Sequence, residues 1–244
     1  MQTCGMRAYQ RSLSRLASTA FCASLLMCNA VAYATSFEQN CRSESGSATV
    51  RIAFESALPI VDQSKSAHEL GRLMAHAGGY KHIGLTEALL QRQFALSLDG
   101  FIDPRSSQAC GKPIIEMRLR YDPLRIYLAS ELDDNECAQE EVLDHELQHI
   151  RLYTAAVDRA AVELRQEILA RYSRMILRGT EHQILKQVER EIRERWLPRL
   201  DSLLDQYEWQ HDALDRAAAA HRSASCHGAF EKVERSITPF PPRE

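Results

Sequence analysis

The chain has 244 residues, 45% of them hydrophobic and 26% charged, with 30 basic against 33 acidic side chains and a net charge of −3. With no basic stripe interleaved with aromatic residues, this balance excludes nucleic acid as the partner, because phosphate binding needs clustered Lys and Arg. The length is enough to bury one core, or two tightly joined ones.

Residues 1–34 have the plan of a secretory signal. Arg7, Arg11 and Arg15 stand in a start with no acidic residue, a largely apolar run follows over 16–31, and Ala32-Tyr33-Ala34 supplies the small residues a signal peptidase accepts. The run is too short and too dotted with Ser and Thr to span a bilayer. A lipoprotein signal at Cys28 is disfavoured, because Met27 stands where a small residue is needed. The mature chain is therefore expected to begin near Thr35, in the periplasm or outside the cell, with membrane contact only through the export signal. Cleavage removes three arginines and no acids, taking the net charge from −3 to −6. It also leaves four cysteines, Cys41, Cys110, Cys137 and Cys226, which in an oxidising compartment imply two disulfides. A cysteine-ligated zinc cluster is not expected, since no two of the four have C-x-x-C spacing.

The expected region 35–134 holds a small, mainly antiparallel sheet. Residues 35–47 read as a polar tether. Val50, Ile52 and Phe54 alternate through a half-buried strand over 48–55. Residues 64–75 suit a helix with Leu70, Leu73 and Met74 on one face, ended by Gly78-Gly79. Strands over 93–98 and 114–121 flank a turn-rich stretch, and Asp122-Pro123 reads as a turn returning the chain in a strand over 124–129. The region 135–237 is expected to be an antiparallel helical hairpin. Residues 138–177 contain neither Gly nor Pro, Gly179 suits a helix end, and Thr180 with Gln183 forms a capping box. The second helix runs from 181 to about 223, kinked at Pro198, with Ile184, Val188, Ile192, Trp196, Leu200, Leu204 and Tyr207 on its apolar side. Residues 238–244, with three prolines, read as an irregular tail. The fold class is α+β.

The chemistry concentrates in His145-Glu146-Leu147-Gln148-His149, an HExxH sequence. On a helix, residues four apart share a face one turn apart, so two imidazoles reach one metal ion. Glu146 then stands beside the metal as a general base for bound water, whose pKa zinc lowers to about 7. By contrast, His68-Glu69-Leu70-Gly71-Arg72 opens in the same way but ends in Arg and lacks the second ligand. The bland alternative is a pair of histidines on a partly exposed helix face, with Glu146 merely solvated.

A catalytic zinc site of this kind takes three protein ligands plus water. Leu152 and Ala155 stand where the metzincin pattern needs Gly and His or Asp. Glu163, Glu167 and Asp158 share the motif's uninterrupted helix, where Glu167 lies roughly 27 Å beyond His149 at about 1.5 Å per residue. The hairpin offers closer candidates. A turn near Gly179 makes facing residue numbers sum to about 359, which sets His211 and Asp215 opposite His149 and His145. His211 is the preferred third ligand and Asp215 the alternative, the other of the two serving as an outer partner; His221 lies further out. The same register puts Cys226 near Cys137, so Cys137–Cys226 and, by elimination, Cys41–Cys110 are the expected disulfides. Tyr153 and Tyr207 are candidate hydroxyl donors to an oxyanion, and the strand over 124–129 a candidate edge for an extended peptide.

With His145, Glu146 and His149 on a helix after a strand, the chain resembles zincin-type metallopeptidases. More narrowly, it resembles bacterial secreted proteins described as zinc-dependent proteases, in which a second helical segment carries Asp and His; Asp215 and His221 are the nearest counterparts here. The resemblance implies zinc on His145 and His149, Glu146 as base, and a peptide or protein substrate. Two other functions compete: a zinc-binding protein without catalysis, and a helical-hairpin interaction module whose histidines are incidental.

Overall fold

Two long strands form the spine of the fold. A computed structural model describes residues 36–73, 82–222 and 226–236; the expected signal, the Gly78-Gly79 helix end and the 238–244 tail lie outside them. Strand β3 (Gly84–Ile102) pairs antiparallel with β4 (Gln108–Leu128) over nearly its whole length. Their connection is closed by Asp103, whose carboxylate accepts from Arg105 N at 3.0 Å and Ser106 Oγ at 2.6 Å, an Asx-type turn.

The expected hairpin at Asp122-Pro123 does not form; β4 runs straight through it. The register slips there instead, with Ala88 opposite Leu124 and Leu90 opposite Tyr121, so β4 carries one extra residue. A bulge suits Pro123, which has no N–H for the ladder. It also shifts the parity of the strand. Ile115, Met117, Leu119 and Tyr121 are buried before it and Leu124, Ile126 and Leu128 after it. Without the extra residue the second group would turn away from the core.

On its other side β4 meets β5 (Leu177–Thr180), β1 (Thr49–Glu55) and β2 (Ile60–Asp62) end to end. Strands β1 and β2 run parallel to β4, so the sheet is mixed, not mainly antiparallel. Parallel neighbours need a long connection, and the stretch between β1 and β4 supplies it through β2, α2 (Ala67–Leu73) and β3. Residues 124–129, expected as a free edge, are enclosed between β2 and β3. Among the described residues β3 has a strand on one side only. A short helix α1 (36–44) comes before β1, where a polar tether was expected.

Helix α3 (Glu136–Tyr172) crosses the sheet. Asn135 caps it by accepting from Ala138 N at 2.9 Å. Val157, Ala160, Leu164, Ile168 and Tyr172 pack on the middle of β4, while Ala138 and Val142 join a second cluster with Ile126, Leu128 and Leu70. The chain then passes through β5 rather than a tight turn and returns as α4 (Glu181–Glu191), a π-turn (Ile192–Trp196), α5 (Leu197–Asp205) and α6 (Glu208–Arg222). The Thr180–Gln183 capping box is present. The π-turn, where Leu197 N–H bonds to the carbonyl of Ile192, falls just ahead of Pro198. Proline has no N–H to continue the α ladder, and the π-turn absorbs the missing donor; the helical run is interrupted instead at Gln206-Tyr207, between α5 and α6, where one continuous helix was expected.

Disulfides join Cys41 to Cys110 and Cys137 to Cys226. The second ties the short helix α7 (Ala229–Ser236), with Phe230 and Val233 buried, to the start of α3. No helix among the described residues is long and apolar enough to cross a membrane.

Candidate metal centre

Three ligand atoms converge where α3 and α6 meet. His145 Nε2 lies 3.1 Å from His149 Nε2, and Asp215 Oδ1 lies 3.1 Å from the first and 3.0 Å from the second. These are the described residues whose donor atoms group closely enough to hold a metal ion. The spacing fits a small cation: with bonds of about 2.0–2.1 Å, tetrahedral zinc ligands stand about 3.3 Å apart. The three donors would leave one ligand place of a four-coordinate zinc open for water. His145 and His149 are 6% and 8% exposed, so their polar atoms need partners, whereas the Asp215 side chain is 60% exposed. Hydrogen bonds from His145 and His149 hold the Asp215 carboxyl well below the usual carboxylate range, against the smaller opposing effect of burial.

His211 is close but differently placed. Its Nδ1 is 2.8 Å from Nδ1 of His149, on the side of that ring away from Asp215 and His145. Asp215, the sequence alternative, thus completes the group, and His211, the preferred ligand, stands behind His149. Burial, then the neighbouring His149, pushes the His211 pKa down. The two contacts, 149 with 211 and 145 with 215, each sum to 360, one step from the expected register. The His221 side chain lies outside the described residues.

Glu146 is 5% exposed and turns toward the sheet. Thr86 Oγ1 donates to its Oε2 at 2.8 Å and lies 3.2 Å from its backbone carbonyl. Burial pushes the Glu146 pKa up, opposed by the Thr86 hydrogen bond and the two histidines. Gly84, two residues before Thr86 on β3, makes room: a Cβ there would stand 2.5 Å from Glu146 Oε1 and 2.5 Å from Val142 Cγ1. Neither Gly84 nor Thr86 was among the expected site residues, because no strand was assigned between residues 55 and 93, whereas β3 begins at Gly84. A glycine at the head of a strand, marking close approach of another group, was the available signal.

Gly84→Ala should therefore push α3 away from β3 or displace the carboxylate. The expected loss, read from urea unfolding, is about 1–3 kcal/mol. An unchanged midpoint would show that the contact is slack.

Tyr153 lies beside the site, its ring centroid 4.1 Å from that of His211, and burial raises its pKa, with Glu208, Glu146 and Asp215 adding to the effect. Tyr207 instead lies under the Arg159 guanidinium. Glu163 and Glu167 are engaged by Arg199, at 3.0 and 2.8 Å. The chain matches no known family model, no curated protein and no solved structure.

Proposed function

We propose that the chain is an exported zinc-dependent hydrolase acting on peptide bonds, with residues 1–34 as the removed signal and the periplasm or exterior as its place of work. The observation that carries this reading is the convergence of His145 Nε2, His149 Nε2 and Asp215 Oδ1 beside a buried glutamate. The donor set of two imidazoles and one carboxylate suits zinc. The 149–211 and 145–215 contacts run in opposite senses along α3 and α6, which supports an antiparallel hairpin at the site. Two disulfides suit an oxidising compartment.

His145, His149 and Asp215 would hold the metal. A zinc ion held by them would supply an acidified water and a positive charge able to polarise a carbonyl. Glu146 would accept a proton from the water that adds to the scissile carbonyl carbon and return it to the amine nitrogen as the carbon–nitrogen bond breaks. Burial suits this task by raising its proton affinity toward the working pH. The Thr86 hydroxyl fixes one carboxylate oxygen and so limits rotation of the base. The outer side of β3, which begins beside Glu146, is the strand edge along which an extended peptide pairs, in place of 124–129.

A second reading is zinc as a tie without catalysis. It is favoured by α6, none of whose described side chains is buried, so that metal ligation would be a main hold on this helix. Metal analysis and turnover separate the two. Purified mature protein should carry one zinc per chain, cleave unfolded protein or a peptide library, lose cleavage on chelation and regain it with zinc. Zinc binding without cleavage of any such substrate would favour the tie. Undiminished cleavage by metal-free protein would end the proposed mechanism.

A further inference from the structure

We infer that His211 is a positioning residue, which through its Nδ1 holds the His149 ring with Nε2 facing the metal; this rests on the metal reading above. The two nitrogens of His149 have different neighbours. Nε2 is 3.1 Å from His145 Nε2 and 3.0 Å from Asp215 Oδ1, whereas Nδ1 is 2.8 Å from His211 Nδ1. With a metal ion in place of the Nε2 hydrogen bond to Asp215, one placement of protons serves both sides. Metal ligation uses the Nε2 lone pair, so His149 carries its proton on Nδ1 and donates it to His211. His211 must then accept on Nδ1 and carry its own proton on Nε2. Flipping the His149 ring would replace the Nδ1 donor with a carbon and lose the bond.

His211 is itself held in place. The His149 and His211 rings are parallel to within 4°, and the Tyr153 ring lies 4.1 Å from that of His211. Tyr153 stands four residues after His149, so α3 supports the imidazole that in turn orients its own ligand. A metal-bound histidine commonly gives its second N–H to a carboxylate or carbonyl. An imidazole in that place accepts the hydrogen bond without adding a second negative charge next to Asp215. Because its Nδ1 is engaged with His149, His211 acts through the ligand and not on the metal.

The test compares zinc affinity, by competition with a chelating dye, in wild type, His211→Ala, His211→Asn, His211→Gln and His145→Ala. The carboxamide oxygen of Asn lies as many bonds from Cα as Nδ1 does; that of Gln matches Nε2. His211→Asn should bind within about threefold of wild type, while the Ala and Gln variants weaken by roughly 10–100-fold. Long-range proton–nitrogen spectra of the zinc-loaded protein should show His149 protonated on Nδ1 in wild type and in His211→Asn. Wild-type affinity in His211→Ala, or His211→Asn as weak as His211→Ala, would overturn the inference. A wild type that binds no zinc would instead bring down the metal reading itself. Zinc binding abolished by His145→Ala but indifferent to residue 211 would bring down only this inference.

Discussion

Glu146→Gln is expected to bind zinc as tightly as the wild type and to lose roughly 10²–10⁴-fold in kcat/KM. The amide keeps the shape of the side chain and still offers an oxygen to Thr86 Oγ1, so the ring positions of His145 and His149 are undisturbed. What disappears is the ability to take a proton from water. Stability should move the other way. Burial raises the Glu146 pKa, so the folded metal-free protein binds a proton more readily than the unfolded chain. A raised carboxyl pKa favours the fold at low pH, an advantage that fades as pH rises through the unfolded and then the folded value. Giving up that proton inside the fold is therefore a cost that glutamine removes. Metal-free Glu146→Gln should melt no lower than wild type at pH 7, with the gap narrowing toward pH 4. An inactive variant that is not less stable cannot be explained by misfolding. Unchanged turnover in this variant would remove Glu146 from the mechanism.

Local signals in the sequence translated well where they depended on near neighbours. The capping box at Thr180 and the long run without Gly or Pro each appear as read, though α3 ends at Tyr172 rather than 177. Signals whose meaning depends on a partner strand translated poorly. Asp122-Pro123 is a turn pair by composition, but here the missing proline N–H is absorbed by a bulge opposite Ala88 and Leu90. The strand order was not legible either, since β1 and β2 pair with β4, which lies far along the chain, and composition does not encode that. As a result the strand edge left open among the described residues is that of β3, not 124–129. The π-turn before Pro198 shows a third limit. A kink was expected, but how the ladder absorbs a missing donor depends on the packing of Ile192 and Trp196 in the core.

The candidate metal group was legible to within one side chain. Helical spacing placed His145 and His149 together, and counting across the turn brought His211 and Asp215 opposite them. Counting could not say which of two residues four apart joins the two imidazoles. Both project from the same face of α6, and side-chain length and helix offset, not residue number, decide the outcome. His211 packs against Tyr153 of the facing helix α3. The more exposed Asp215 reaches the two Nε2 atoms instead.

Asp215→Ala should therefore weaken zinc binding by more than His211→Ala does, beyond the roughly 10–100-fold typical of an outer partner. Its side chain is 60% exposed and belongs to neither hydrophobic cluster, but it accepts hydrogen bonds from two buried imidazoles, so the metal-free variant should keep its fold at a cost of about 1–3 kcal/mol. The two proteins should separate once metal is added. Binding to the native state alone raises stability by RT ln(1 + [L]/Kd), so zinc should lift the wild-type melting temperature strongly and that of Asp215→Ala much less. Because α6 buries none of its described side chains, the variant should also leave this helix more open to amide exchange in the presence of zinc. Asp215→Asn separates charge from position, since it keeps an oxygen in place and removes the negative charge that the two N–H donors and a cation both favour. It should fall between wild type and Asp215→Ala. If Asp215→Ala instead bound zinc like the wild type while His211→Ala did not, the third ligand would be His211. The His149 contact would then have to break when the metal enters.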